Sequence, residues 1–432
     1  MASRTIPAEH VSNPSKPALL DLSSPWQQIA IFAIAFLILF ARRPDAILNA
    51  QFYAEDGKYW YAEAYNFGWR CLLIPVGGYL NTVSRLIGMF SLLFPMLRAP
   101  LVMNICALAV GALPVNIFLS SRFSEIPLKI RFYGCALFLA LPNAFEVHAV
   151  TTNIQWHLAL VALLLLLGNQ DTRLGWRIFD FLVFLLVALD GPLGILLIPI
   201  AVILRWIRRD SRYNLPLIGL IPPATVQVMF VLISGSRRFA ENGATVKLFT
   251  SIVGSQVFFS SVLGVRTSIQ LHQEAPTRLF VAAVFFLALG SFFTVYALRK
   301  GPLGLRLFYL FAILLLACAL QHPMASFGGQ LEQWPLLETP GCGNRYYYFP
   351  MLAFLATPIW MLSYSVAKSR LARCAALLAL LLLPVGVLRD FRYKSFPDKD
   401  FKTYVTQFEQ LPPGSHFSIP IHPMWQMDLV KH

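Results

Sequence analysis

The run Gln27-Gln28-Ile29-Ala30-Ile31-Phe32-Ala33-Ile34-Ala35-Phe36-Leu37-Ile38-Leu39-Phe40-Ala41 ends on Arg42-Arg43, and a few residues on the chain reads Gln51-Phe52-Tyr53-Ala54-Glu55-Asp56-Gly57-Lys58-Tyr59-Trp60. A helix rises 1.5 Å per residue and needs about 20 apolar residues to cross a ~30 Å hydrocarbon layer. The first run, with its flanks, is a membrane span. A long polar stretch (1–26, with Pro7, Pro14 and Pro17) precedes it and no small-residue cleavage site follows, so it reads as an uncleaved anchor. The rest of the chain repeats the pattern. Hydrophobic residues make up 57% of the 432 and charged residues 13%, against roughly 45–50% and about 25% in soluble domains. Too few charges are present to coat a soluble globule of this size. Disorder is excluded by the same numbers. A collagen-like chain or disulfide scaffold is excluded by 25 Gly, 29 Pro and 6 Cys without a period. The fold class is an all-α polytopic membrane protein.

The net charge of +14 is not a nucleic-acid footprint. Lys and Arg gather in short gaps between apolar runs, where topology needs them. Five gaps carry most of them: Arg122/Lys129/Arg131, Arg173/Arg177, Arg205/Arg208/Arg209/Arg212, Arg299/Lys300/Arg306 and Lys368/Arg370/Arg373. The positive-inside rule places these five in the cytoplasm. The alternate gaps, 42–82, 149–154, Asp190, 235–277, 321–345 and 389–432, then face outward. Parity gives about eleven spans, centred near 34, 109, 140, 161, 183, 198, 224, 288, 312, 356 and 380, with the N-terminus inside and the C-terminus outside. Val83–Leu97 and Leu248–Gln270 do not fit this parity as crossings. They are expected as helices lying at the outer interface or dipping into it. Asp190-Gly191-Pro192 closes a tight hairpin, in which Asp190 is expected to cap the following helix and Pro192 to occupy its first turn. The organisation is thus a cytoplasmic tail (1–26), a membrane domain (27–388, with a first outer loop at 42–98) and an extracytoplasmic tail (389–432). In that last tail a short helix at Phe401–Gln410 and one or two strands are expected to pack over the outer face. No internal repeat is visible.

Chemistry concentrates in the first outer loop. Glu55 and Asp56 sit just outside the first span among aromatic residues. A carboxylate held at the lipid interface is partly desolvated, which raises its pKa toward the range of a general base. A solvated loop with interfacial Trp and Tyr anchors is the plainer alternative. Glu55-Asp56-Gly57 after the first span, followed by Gly78-Tyr79-Leu80 and Arg85, resembles the GT-C superfamily of membrane glycosyltransferases. The resemblance extends to the number of spans and the outward C-terminal tail, and it is nearest to the bacterial branch that decorates cell-surface glycans. It implies a GT-C-like bundle that takes a sugar from a polyprenyl-phosphate donor on the outer side of the inner membrane. The acceptor would be a cell-surface glycan or lipid-linked molecule. It further implies inverting transfer, with Asp56 as base and Glu55 as close runner-up. In some branches the acidic pair holds a divalent metal (Mg or Mn); two carboxylates alone are too few ligands to argue one here.

A departing lipid phosphate needs cations. Arg345, ending the loop Gly341-Cys342-Gly343-Asn344-Arg345 before Tyr346-Tyr347-Tyr348, is the first candidate, because its fork can bind phosphate twice. Anchoring a helix end at the interface is its alternative role. Arg85 and Arg266 are secondary candidates, and Arg237-Arg238 read as membrane-surface contacts. Glu146, His148, Asn153, Gln155 and His157 collect near the outer ends of two spans, where polar groups are costly and default to function. There His148 and His157 could bind donor phosphate, with Tyr79, Asn153, Gln155, Asp190 and His322 as substrate contacts. Capping by Thr and Asn is the competing reading for the 151–157 stretch. The three His show no zinc spacing. Cys71 and Cys342 both fall in outer loops, so a disulfide between them stays open. Two other classes are weighed: a lipid-linked-oligosaccharide flippase or transporter, which would want polar residues at mid-membrane, and a surface-polysaccharide ligase or polymerase, which would want a larger late outer loop than 321–345.

Overall fold

The computed structural model describes residues 22, 24–234, 241–325 and 331–432. Most of the 1–26 tail and the pair Arg237-Arg238 lie outside the described residues. The described residues are mostly helical, and seven helices among them are long and apolar enough to cross a membrane. The first, Pro25–Arg42, opens on a reciprocal cap: Ser24 accepts from the Gln27 amide while the Gln27 side chain accepts from the Ser24 amide.

Side-chain bonds fix how the helices alternate. Asn116 donates to the Gln28 carbonyl at 2.7 Å and Asn104 to that of Ala46 at 2.9 Å, so helix Ala99–Leu119 runs antiparallel to the first. Arg131 donates to the Leu119 carbonyl, setting the start of Leu128–Leu139 beside that end. Arg42 ties the opposite end together. Its buried guanidinium donates to the carbonyls of Leu139, Leu141 and Phe391, at 3.0, 2.9 and 3.1 Å. A cation is well placed among helix C-termini, where free carbonyls point outward. The bundle therefore has two faces. One carries the 42–98 loop; the other carries Arg122, Arg131, Arg208 and Lys300.

Helices Leu128–Leu139, Ile154–Leu167, Leu174–Ala188 and Leu193–Arg208 have 12, 14, 15 and 16 residues. At 1.5 Å per residue they span only about 18–24 Å. The expected span centred at 140 ends at Leu139, and 140–153 is backbone without a regular helix beyond two single turns, most of it buried. Non-helical backbone survives at such depth only when protein covers it. The loop face therefore has a hollow above these short helices, and residues 51–98 fill it. Gln227, fully buried in helix Asn214–Ser234, holds the loop down: its side chain accepts from the Leu80 amide (3.0 Å) and donates to the carbonyls of Leu80 (2.9 Å) and Gly191 (3.1 Å).

The two unpaired apolar stretches follow the loop face. Helix Thr82–Ser91 packs under the acidic segment, where the Gly88 position touches the Trp60 carbonyl and leaves no room for a Cβ. Val246–Leu263 is long and apolar enough to cross a membrane, yet both its ends are tied to the same face. Before it, Asn242 donates to the Gln321 carbonyl; after it, the Val265 amide donates to Asp390 at 2.5 Å. Between them Phe258 reaches Phe354 and Gly254 packs on Ala283, so the segment dips inward and returns. The amphipathic helix Val265–Glu274 follows it.

The C-terminal segment forms helix Phe401–Glu409 and an antiparallel hairpin, His416–Ile421 with Trp425–Val430 (His416 opposite Val430, Ile421 opposite Trp425). It shares a second small core with the first loop, in which Phe52, Trp60 and Tyr61 meet Phe401, Phe408, Ile419 and Met427. The backbones join as well: the Ala54 amide donates to the His422 carbonyl at 2.6 Å. Cys71 and Cys342 are unpaired, so no disulfide links these loops.

With Cys106, Cys318, Cys342 and Cys374 replaced by Ser, so that only the buried Cys71 and Cys135 remain, thiols introduced one at a time at Lys58 and Lys129 should label from opposite sides of a sealed vesicle with an impermeant maleimide. Labelling of both from one side would contradict the two-faced bundle.

Candidate functional site

The acidic motif is built on a strained turn. Ala54 adopts a positive φ of 47°, costly for a residue with a Cβ and frequent at functional positions. The Asp56 amide donates back to the Tyr53 carbonyl at 2.9 Å. Gly57 is fixed by space: a Cβ there would lie 2.9 Å from Ile421 and 3.1 Å from Phe52. The two carboxylates, both close to Thr152, differ in burial and in partners.

Asp56 points down into the hollow and is 1% exposed. One oxygen accepts from the Thr152 amide (2.6 Å) and hydroxyl (2.7 Å), and the other from the Thr151 amide (3.2 Å). These donors open the turn Thr151–Asn153 that leads into helix Ile154–Leu167, a position that favours an anion. Burial still outweighs them and pushes Asp56 up to about 7. The seat itself is tied down: Thr151 Oγ1 donates to the Met103 carbonyl, and Ser84 donates to that of Thr151.

Glu55 is half-buried and lies in the field of Arg345. Burial raises its pKa, opposed by its own backbone amide, by Arg345, by Thr152 and by Lys58. The Arg345 amide donates to Glu146 at 3.1 Å, and its guanidinium is ion-paired with the same carboxylate. The other fork nitrogen donates to the Met324 carbonyl (3.0 Å) and the Tyr346 hydroxyl (3.1 Å), and the Arg345 side chain keeps 23% exposure. The turn Val76–Tyr79, with Gly77 and Gly78 at positive φ, approaches the same place, Gly77 lying against Met324. Tyr79 is half-buried in that turn, and the exposed His322 is two residues from Met324. Asn153 donates to the Glu146 carbonyl at 2.7 Å, so it positions the Arg345 partner.

The structure does not bring the remaining candidates to this site. Arg85 is fully buried, ion-paired with Glu63 at 2.7 Å, donating to the Ile74 carbonyl and lying over Trp60. It braces the loop from within. His148 bonds the Leu39 carbonyl at 2.8 Å, and burial lowers its pKa, so it stays neutral. Both His157 nitrogens are engaged, by the Val147 carbonyl and the Tyr348 hydroxyl. His157 thus has no ring nitrogen left for a phosphate, and His148 is buried against the first span. Arg266 donates to the Arg392 carbonyl, and its amide to Asp390. Asp190 does not cap the helix that follows it. It accepts from the Val83 amide at 3.0 Å, so it caps helix Thr82–Ser91. Gln155 packs its side-chain oxygen against Gly191 beside it.

Sequence reading missed three parts of this arrangement. Thr151 and Thr152 are visible in sequence as part of a costly polar stretch or as caps, and not as the donors to Asp56. Glu63, the partner of Arg85, sits in an ordinary-looking polar stretch. Gln227 carried a usable signal, a lone amide in a long apolar helix. Both Asp56 oxygens accept from N–H and O–H donors, bonds that Asp56 would have to give up to hold a divalent metal. Among the described residues no cluster of three or more His, Cys, Asp or Glu is present. No protein-family model matches the chain, and no curated protein matches it.

Asp190 supplies a stability test. Its second oxygen is buried without a hydrogen-bond partner, and burial pushes the group up to about 7. A carboxyl raised in the folded state favours folding when protonated, so this contribution is present at pH below the unfolded value near 3.8 and is lost as pH rises toward 7. Asp190→Asn should therefore raise the melting temperature at pH 8 and leave it nearly unchanged at pH 4. A fall at pH 8 would show the ionised carboxylate to be the stabilising form.

Proposed function

We propose that this chain is an inverting membrane glycosyltransferase of GT-C type. It would move a sugar from a polyprenyl-phosphate donor to a cell-surface glycan or lipid-linked acceptor, at the face carrying the 42–98 loop. In this reading eleven helices cross the inner membrane, the basic face is cytoplasmic under the positive-inside rule, and the loop face is periplasmic or exterior. The supporting observation is the division of labour in the acidic pair. Asp56 is sealed against Thr151-Thr152, which leaves Glu55 as the carboxylate that can reach a substrate near Arg345.

The chemistry needs little more. Glu55 takes the proton from the acceptor hydroxyl as that oxygen attacks the anomeric carbon. The bond from that carbon to the phosphate oxygen breaks, and the polyprenyl phosphate leaves with the electron pair. Arg345 exchanges part of its contact with Glu146 for the departing phosphate oxygens. Burial strengthens each of these interactions over its value in water. Asp56 acts as a positioning residue, because its hydrogen bonds set the height and direction of Glu55. A flippase or transporter gains no support from the location of the polar groups. The buried ion pair Arg122–Asp180 lies near the basic face, and the acidic and basic candidates lie at the opposite one.

The test is transfer from a panel of polyprenyl-phosphate sugars in proteoliposomes. Glu55→Gln should lower turnover by about 10² or more while keeping the wild-type melting temperature. Asp56→Asn should lower both turnover and melting temperature, since it replaces an oxygen that accepts by an NH₂ that donates. Full turnover in Glu55→Gln would remove the proposed base, and no transfer from any such donor would remove the reading.

A further inference from the structure

A large cavity among the described residues lies at the other face. It holds about 720 Å³ and is walled by five helices, with Phe118, Phe138, Leu164, Phe308 and Trp360 among the lining side chains. That volume falls within the roughly 300–1,000 Å³ of pockets that enclose a ligand. Its walls are almost wholly apolar, and its mouth carries Arg122, Glu125, Arg208 and Lys300. Arg122 is consumed by Asp180 at 2.8 Å. Arg208 and Lys300 are exposed and enter no salt bridge with the described residues. A second, polar hollow of about 380 Å³ adjoins the first and shares Asn169 and Arg208 with it. In that hollow Asp210 is neutralised by Arg212 at 2.6 Å. The uncompensated charge at the junction of the two is therefore positive, with Glu125 as the single opposing group.

An apolar chamber joined to a polar hollow through unpaired cations matches an amphiphile with an anionic head. We infer that this cavity is a binding site for one anionic phospholipid of the leaflet at the basic face, with an acyl chain among Phe118, Phe138 and Phe308 and its phosphate on Arg208 and Lys300. The site is separate from the acidic-loop face and does not depend on the reaction proposed there. Its role follows from its walls. Helices Leu128–Leu139, Ile154–Leu167 and Asn344–Ser363, which line it, also carry the Arg42 anchor, the Asp56 seat and Arg345 at their far ends. A lipid chain filling the space between them replaces contacts that an empty cavity would forfeit.

The experiment is native mass spectrometry of the full chain released from nanodiscs of equal parts phosphatidylglycerol and phosphatidylcholine. The wild type should retain one phosphatidylglycerol in preference to phosphatidylcholine by about fivefold or more, the scale of one basic residue at an anionic surface. Arg208→Gln with Lys300→Gln, both at exposed positions, should abolish the preference without unfolding the protein. Gly304 lines the cavity with nothing within 4 Å of the place a Cβ would occupy, so Gly304→Leu should lower retention of both lipids. Equal retention of the two lipids by the wild type, or a preference unchanged in the double variant, would overturn the assignment. Preferential retention of phosphatidylcholine would do the same.

Discussion

A carboxylate sunk below the end of a helical bundle is expensive unless something donates to it, and the organisation of this protein turns on how Asp56 is supplied. Thr151 and Thr152 offer two amides and a hydroxyl at the start of a helix. They can do so only because the neighbouring helices stop short and leave irregular backbone uncovered. The loop needs the seat and the seat needs the loop. Buried amides without partners would cost as much as the buried acid does. The same reciprocity holds a few residues away, where Asp190 caps the helix that carries Arg85, and Gln227 satisfies the Leu80 and Gly191 backbone. The C-terminal hairpin closes the arrangement by packing Ile421 against Gly57.

This arrangement separates position from reach. A residue whose oxygens are all engaged makes a good fixture and a poor base. Its neighbour Glu55 stays half-buried in the field of Arg345. The pair Arg345–Glu146 keeps a cation at the site without leaving it unpaired in the absence of an anion. A bound phosphate would compete with Glu146 for the same fork, which is the behaviour expected of a cation that must bind a leaving group and release it.

Much of the fold was legible because membrane physics writes it into the sequence twice, as apolar length and as the placement of Arg and Lys. The gaps at 122–131, 205–212 and 299–306 lie at one face, and the dipping segment around Gln256 begins and ends at the other. The site was legible only as a region. Glu55, Asp56 and Arg345 stand out in sequence as charged residues beside aromatic runs at the ends of spans opposite the basic gaps. Their roles do not, because a one-residue offset decides which carboxylate is sealed, and that depends on Thr151-Thr152 a hundred positions away. His148, His157, Arg85 and Asp190 misled for a related reason. At the edge of a bundle a polar side chain that satisfies backbone looks, in sequence, like one that awaits a ligand.

The central claim is that the acidic loop and Arg345 together form the place where a lipid phosphate is held. A cryo-electron microscopy structure of the full chain in nanodiscs with polyprenyl phosphate addresses it directly. The account predicts the phosphate within hydrogen-bonding distance of the Arg345 guanidinium, with the Glu55 carboxylate facing it and Asp56 still bound to Thr151 and Thr152. Density for the phosphate away from the 42–98 loop, with the Arg345–Glu146 pair undisturbed, would contradict it.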